Sequence, residues 1–426
     1  MDTSVTLGHA YRPRVIDSQV TESLSIAGAV LIEGPKGCGK TMTGMNAAAS
    51  YALLDDPTTA ELVQIAPEAV LDGVRPRLLD EWQLAPQLWN LLRRQVDAAP
   101  EKGSFLLTGS AVPADDATHH TGAGRILRLR QHTFAWWEHS GEPRTGGVSL
   151  ADLFEGRLPN ADLTAPLSYS EVIDRLLRPG FPALSDLKPS QGRRMLQAYI
   201  DEIARADAPR LVDLRHDPAV IRQLIAAIGR SASLEVSYTT LASDVRQVAP
   251  AITAETIASY VGVLERLFVV EKQLAWTPEL RSRARLRTSA KLHLADPALA
   301  AAAIGASSER LQRDPNTVGL LFESAVFHDL QVLSGELGAD IRHYRDSNGH
   351  EIDAVITLPD GRWAAVEAKL GGGQVPAGAQ SLKTATEQLD YSVVPEPAFR
   401  LVISGTGLTY VMSEGTITCP LSALRP

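Results

Sequence analysis

The sequence is poor in cysteine, has few aromatic residues and contains no long apolar run. Its two cysteines, Cys38 and Cys419, are too few for a disulfide framework or a zinc site, and a reducing cytoplasm is the compartment expected. No stretch approaches the ~18 uninterrupted apolar residues of a membrane span, so no membrane partner is expected. The opening MDTSVTLGHAYRPR lacks a basic start followed by an apolar core, and so is not expected to act as a secretory signal. A cationic excess is missing too. The formal net charge of −9 argues against a chain coated in nucleic-acid-binding surface, but leaves room for a local basic patch. His119-His120 and His350 lack metal-ligand spacing and are expected at the surface. No Ser-His-Asp or Cys-His arrangement emerges, and there is no internal repeat.

Apolar residues are plentiful, at 44% of the chain, enough to bury several cores; a chain of this length suggests roughly two to four domains. Its first ~150 residues alternate short apolar runs with helical patterns, as βα units around a parallel sheet require. Ala29 to Ile32 reads as a buried strand and Lys40 to Ala52 as the helix after it. Leu62 to Ile65, Leu78 to Leu79 and Phe105 to Leu107 read as further strands, and Pro86 to Val96 as a helix with Leu88, Leu91, Leu92 and Val96 on one face. Ser168 to Arg230 is helical in pattern, interrupted at Arg178 to Pro182. Tyr238 to Glu271 then reads as helix, turn, helix: Leu241 to Val248 first, then a helix capped by Thr253. Arg281, Arg283, Arg285, Arg287 and Lys291 follow where a winged-helix domain places its wing. They are either phosphate contacts or a solvated basic loop. Beyond Asp314 a helix from Val318 to Leu333 precedes strands at Ile341 to Tyr344, Glu351 to Leu358 and Arg362 to Leu370, with Pro359-Asp360-Gly361 turning between the last two.

Gly34-Pro35-Lys36-Gly37-Cys38-Gly39-Lys40-Thr41 fits G-x-x-x-x-G-K-[ST] without a mismatch, between a strand and a helix. Its glycines let backbone N–H groups converge on phosphates at a helix N-terminus. Lys40 is expected at the β- and γ-phosphates of ATP and Thr41 on Mg²⁺. Asp80 and Glu81 end an apolar strand, Asp80 expected in the Mg²⁺ shell and Glu81 beside the attacking water. Thr108 or Ser110, ending another strand, is a candidate to face the γ-phosphate. Arg125 is a candidate to stabilise transition-state charge from the same subunit or a neighbouring one, the latter implying a homo-oligomer. In the C-terminal part, Glu367 and Lys369 are two apart on a strand and share a face, and Asp353 lies on the partner strand. Asp353 and Glu367 are expected to converge on a divalent cation, Mg²⁺ or Mn²⁺, that activates water. Lys369 would orient or deprotonate that water, and Glu323 would lean in from the preceding helix.

The order P-loop, Asp80-Glu81-x-Gln83, Leu107 to Ser110 and Gly124 to Ile126, with Gly180-Phe181-Pro182, resembles a group of prokaryotic AAA-type ATPases of largely unknown function. Their C-terminal part has a winged-helix portion and a restriction-endonuclease-like fold, and Asp353, Glu367 and Lys369 are similar to the PD-(D/E)xK signature. The resemblance implies an α/β protein in four parts: an AAA-type core at 1–160, a helical lid at 161–230, a winged helix at 231–310 and a nuclease-like domain at 311–426. The expected function is ATP hydrolysis governing a DNA-directed module, most concretely a metal-dependent nuclease. A nucleotide-switched DNA-binding or scaffold ATPase and a protein-remodelling ATPase remain the alternatives.

Overall fold

The computed structural model describes residues 11–98, 101–112, 122–140, 147–163, 166–211, 217–278 and 289–426. His119, His120 and the arginines at 281, 283, 285 and 287 lie outside them. The chain forms two compact units; one runs to Thr133 and takes in Val263–Val269, and the other takes most of the remainder.

In the first unit, α1 (Ile16–Ile26) leads into β1 (Ala29–Glu33), all of whose residues are buried. A strand flanked by neighbours and covered on both faces reads as a continuous apolar run, as β1 does. α2 (Lys40–Ala47) follows the P-loop and is shorter than expected, because Ser50–Leu53 forms an edge strand, β2. Leu62 to Ile65, read above as a strand, is the end of a helix, α3 (Pro57–Ile65). The Asp56 side chain caps it by accepting from the N–H groups of Thr58 and Thr59, both at 3.0 Å, and Pro57 takes the first turn. β3 (Arg77–Asp80), α4 (Leu88–Ala98), β4 (Phe105–Gly109) and β5 (Ile126–Arg130) complete a sheet of order β2-β3-β4-β1-β5, parallel throughout. Alternation along β1 divides the core. Val30 and Ile32 pack with Ile16, Val20 and Met45 on one face; Ala29 and Leu31 pack with Leu88, Trp89 and Leu92 on the other. Because every strand runs the same way, the ends of β1, β3 and β4 meet at one edge, bringing together three of the sequence motifs.

The second unit opens with β6 (Val148–Ser149), which pairs with the last strand, β15 (Leu424–Arg425). Residues past Thr133 therefore group with this unit, short of the 1–160 span expected for the ATPase core. Helices α5 (Tyr169–Leu176), α6 (Pro189–Glu202) and α7 (Pro218–Arg230) follow, broken at Arg178 to Pro182 as read above. A capping box starts α5: Ser168 Oγ accepts from Glu171 N–H while the Glu171 carboxylate accepts from Ser168 N–H at 2.8 Å. The helix-turn-helix pattern is α8 (Tyr238–Val245) and α9 (Ala254–Arg266), with Thr253 Oγ1 accepting from Thr256 N–H at 3.2 Å. β7 (Val270–Gln273) and β8 (Lys291–Leu294) then form an antiparallel ribbon.

The C-terminal half builds on α10 (Pro315–Leu333) and a six-stranded mixed sheet, order β13-β14-β12-β11-β10-β9. β9 (Asp340–Arg345), β10 (Glu351–Thr357) and β11 (Trp363–Lys369) form an antiparallel meander, β10 pairing with both of the others. The turn between β10 and β11 falls at Pro359-Asp360-Gly361, as read, with Gly361 at φ 91°, where a Cβ is disfavoured. α11 (Val375–Glu387) carries the chain to β12 (Arg400–Ser404), parallel to β11, before β13 (Tyr410–Val411) and β14 (Ile417–Pro420). Its Val375, Ala379, Leu382 and Ala385 pack on Val355, Trp363, Ala365 and Val402 of the sheet.

Candidate functional site

At the C-terminal edge of the parallel sheet the P-loop turns on two glycines with left-handed backbone, Gly37 (φ 80°) and Gly39 (φ 101°), and a Cβ on Gly34 would come within 2.1 Å of the Gln131 carbonyl oxygen. The fully buried Cys38 fills the space below, and its carbonyl accepts from the Arg14 guanidinium at 2.9 Å and Gln131 Nε2 at 3.2 Å. Neither Arg14 nor Gln131 is flagged by the motifs, since each reaches the loop from a distant stretch of sequence. Lys40 is buried, its ammonium donating to the carbonyls of Gly34 at 3.0 Å and Pro35 at 2.9 Å.

Thr41 Oγ1 donates to Asp80 Oδ2 at 3.1 Å, which brings the P-loop hydroxyl and the strand-end carboxylate together. Burial holds the Asp80 carboxyl above the usual carboxylate range. Thr108, a candidate to face the γ-phosphate, bonds both acidic residues. It is fully buried, donating to Asp80 Oδ1 and accepting from the Glu81 N–H at 3.0 Å, and so ties the two acidic residues together. Ser110 holds Glu81 instead, donating to its Oε2 at 2.8 Å, and Gln83 Nε2 donates to that oxygen and, at 3.2 Å, to Ser110 Oγ. Arg125 is at the other end of the sheet: its carbonyl accepts from Ala29 N–H, at the start of β1, and its guanidinium pairs with Asp97 at 2.5 Å on the surface. β1 carries the chain roughly 13 Å from there to the P-loop, at ~3.3 Å per residue. A role for Arg125 at its own subunit's nucleotide is thereby removed.

In the second unit, Glu323, Asp353, Glu367 and Lys369 line one cleft of about 550 Å³, with His350 and Gln380 also on its wall. One step beyond the pair Ala354–Val366, Asp353 comes opposite Glu367 across the β10–β11 ladder. A bulge in β10 against β9, between Ile352 and Val355, coincides with that point and is a device for re-aiming a side chain. Asp353 Oδ2 accepts from the Ala368 N–H at 2.9 Å, and the Lys369 ammonium donates to Glu367 Oε1 at 2.6 Å. The other Glu367 oxygen is buried without a hydrogen-bond partner. Burial, and after it the charge of Asp353, pushes Glu323 up to about 7 and Glu367 up to about 8. His350, expected at the surface, is half-buried on the cleft wall and bonds Asp346 at 2.8 Å.

Lys291 departs most from the sequence reading. It is no solvated basic loop residue: it opens β8, is buried, and its ammonium donates to Glu323 at 2.6 Å and lies 3.9 Å from Asp353. Burial pulls its pKa down, but the two carboxylates together raise it above the ordinary lysine value. Two residues on, the buried His293 hydrogen-bonds Ser324 Oγ at 3.0 Å and Gln273 Oε1 at 3.2 Å, while Gln273 Nε2 donates to the Asp353 carbonyl at 2.7 Å. The β7–β8 ribbon is thus wired into the cleft through side chains that no local motif announces. Among the described residues no three His, Cys, Asp or Glu side chains are grouped to hold a metal ion. The cleft offers instead a facing carboxylate pair, one of whose buried oxygens lacks a donor.

Residues 27–139 match the AAA domain family. Residues 169–310 and 318–424 match two families described as domains of unknown function, DUF8612 and DUF4143. Among solved structures, the chain is similar to a Walker-type ATPase of Pyrococcus abyssi at 11% identity, over 69% of this chain and 96% of that one, with a TM-score of 0.37. The replication initiator DnaA bound to AMPPCP and single-stranded DNA aligns at 14% identity over 59% and 86% of the two chains, TM-score 0.26. Drosophila ORC bound to DNA aligns at 12% identity over 65% and 89%, TM-score 0.22. No curated protein matches the chain. The first unit is a P-loop ATPase domain of the AAA type that binds ATP, and among the described residues no helix is long and apolar enough to cross a membrane.

Proposed function

We propose that the protein hydrolyses ATP with Mg²⁺ and couples the cycle to a DNA-directed C-terminal module that is a metal-dependent nuclease. In the ATPase unit Lys40 takes the β- and γ-phosphates, Thr41 and Asp80 hold the metal, and Glu81 polarises the attacking water while Ser110 and Gln83 fix its carboxylate. Mg²⁺ bound there neutralises phosphate charge. Arg125 acts on the nucleotide of a neighbouring copy, the working form being a homo-oligomer. The division expected, a core at 1–160, lid at 161–230, winged helix at 231–310 and nuclease-like domain at 311–426, is kept except that the residues past Thr133 leave the core; α8, α9 and the β7–β8 ribbon support the winged helix.

The observation that carries the nuclease reading is the meeting of Glu323, Asp353, Glu367 and Lys369, from one helix and two strands, in one cleft. Asp353 and Glu367 are the residues to hold a divalent cation, Mg²⁺ or Mn²⁺, because they face each other across the β10–β11 ladder and one buried Glu367 oxygen has no partner. Such a metal supplies an activated water and screens the scissile phosphate. Lys369 positions that water or takes its proton. The rival reading, a recognition module that does not cut, has its own support: Glu323, Asp353 and Glu367 each have one oxygen engaged by a lysine or a backbone N–H.

Incubating the purified chain with single- and double-stranded DNA and Mg²⁺ or Mn²⁺, with and without ATP, separates the two. Cleavage is expected to vanish in Asp353→Ala and Glu367→Ala and to slow by ~10²-fold or more in Lys369→Ala, with ATPase activity kept in all three. If the wild type does not cut, or Asp353→Ala cuts undiminished, the cleft is a recognition site.

A further inference from the structure

We propose that Lys291 is the resident counter-ion of the C-terminal cleft and competes with a divalent cation for Glu323 and Asp353, so that the β7–β8 ribbon sets the metal affinity of the site. The proposal rests on the cleft being a metal site, as argued above, and adds a residue from outside the β10–β11 signature that controls it.

The geometry carries it. The Lys291 ammonium is 2.6 Å from Glu323 Oε1 and 3.9 Å from Asp353 Oδ1, with its side chain 9% exposed. Asp353 Oδ2 is taken by the Ala368 N–H and Glu367 Oε1 by Lys369. The carboxylate oxygens left for a cation are therefore Asp353 Oδ1, the unpartnered Glu367 Oε2 and the second oxygen of Glu323. The first of these already lies beside an ammonium. A divalent ion placed there meets a like charge a few ångströms away, on a side chain buried enough for the repulsion to be less screened than at an exposed site. Lys291 cannot simply swing into solvent while β8 keeps its place: its backbone is bridged to Glu235, and its neighbours in the ribbon pair with β7. Through Gln273 and His293 the same ribbon also fixes the Asp353 backbone and the α10 turn that bears Glu323. Displacing the ribbon would thus withdraw the cation and loosen the carboxylates together.

The test is Mn²⁺ binding by the full chain without nucleotide, followed by calorimetry or by the electron paramagnetic resonance of free Mn²⁺. Lys291→Gln removes the charge and is expected to tighten Mn²⁺ binding by about tenfold or more, the equivalent of at least ~1.4 kcal/mol. Adding Glu367→Gln should abolish that gain, locating the ion in this cleft. Lys291→Arg keeps a cation and should bind as the wild type does. Thermal melting and ATP binding verify that each variant is folded. Unchanged or weaker Mn²⁺ binding in a folded Lys291→Gln, or no binding by any form, overturns the proposal. The outcomes separate from those of the nuclease reading. DNA cleavage with no gain in Lys291→Gln defeats the counter-ion role alone, whereas a gain with no cleavage by any form defeats the nuclease alone.

Discussion

Glu81 stands in left-handed backbone, at φ 56° and ψ 51°, a conformation that costs a residue with a Cβ on the order of 1–3 kcal/mol. It is held there because its N–H is bound by Thr108 and its carboxylate by Ser110 and Gln83. The strain is what brings its carboxylate to the edge of the sheet, next to Asp80. Glu81→Gln is expected to keep ATP affinity and lower phosphate release on the order of 10²-fold, whereas Lys40→Ala should weaken ATP binding itself. Titration of labelled ATP beside a phosphate-release assay distinguishes them, and full turnover by Glu81→Gln would remove it from the catalytic role. Gly34 to Thr41 stood out in the sequence because the motif is contiguous, and Asp80-Glu81 because an acidic pair ends an apolar strand. The functions of Thr108 and Lys291 were not legible there. Each is decided by a partner 28 or 32 residues away, and a threonine ending a strand or a lysine after four arginines looks the same whichever partner it finds.

Among the elements, those bounded by a motif or a turn signal were read more accurately than an apolar run without one. β1, β3, β4, α10 and the three strands around Pro359-Asp360-Gly361 lie close to where alternation and turn residues put them. Leu62 to Ile65 was mistaken because four residues cannot distinguish period 2 from period 3.6. The deciding signal lay upstream, in Asp56-Pro57, a cap followed by a proline suited to the first helical turn. Ser50–Leu53 was absorbed into α2 because its pairing with Arg77–Asp80 is non-local. If the Asp56 cap holds α3, Asp56→Ala should destabilise the ATPase unit by about 1 kcal/mol, read as a lower urea midpoint at unchanged slope. An unchanged midpoint would mean that packing of Val63 alone maintains the helix.

At the scale of the whole molecule, buried titratable groups make stability depend on pH with opposite signs. His293 and His343 are held down to about 3 and about 4, in each case chiefly by burial and next by Lys291. The unfolded chain protonates them near the ordinary histidine value of ~6.5, so it binds more protons than the folded one, and their contribution is lost as pH falls below that value. Glu323 and Glu367 act in reverse. Their folded pKa values, about 7 and about 8, exceed the unfolded ones, so the folded chain holds protons that the unfolded chain has released. Their contribution is present below ~4.5 and is lost as pH rises to about 8. The two effects oppose each other between ~4.5 and ~6.5; above ~6.5 only that of the glutamates continues, and His328, which burial lowers but Asp329 on balance raises, adds to it in the same direction. The melting temperature without divalent cations should therefore fall from pH 6.5 to pH 8.5. Glu367→Gln, which cannot release a proton, should flatten that fall, and Mn²⁺ should do the same by compensating the carboxylate charge. Calorimetric melts of both proteins across this range provide the check. An equally steep fall in Glu367→Gln would show that the glutamate does not titrate with folding in this window.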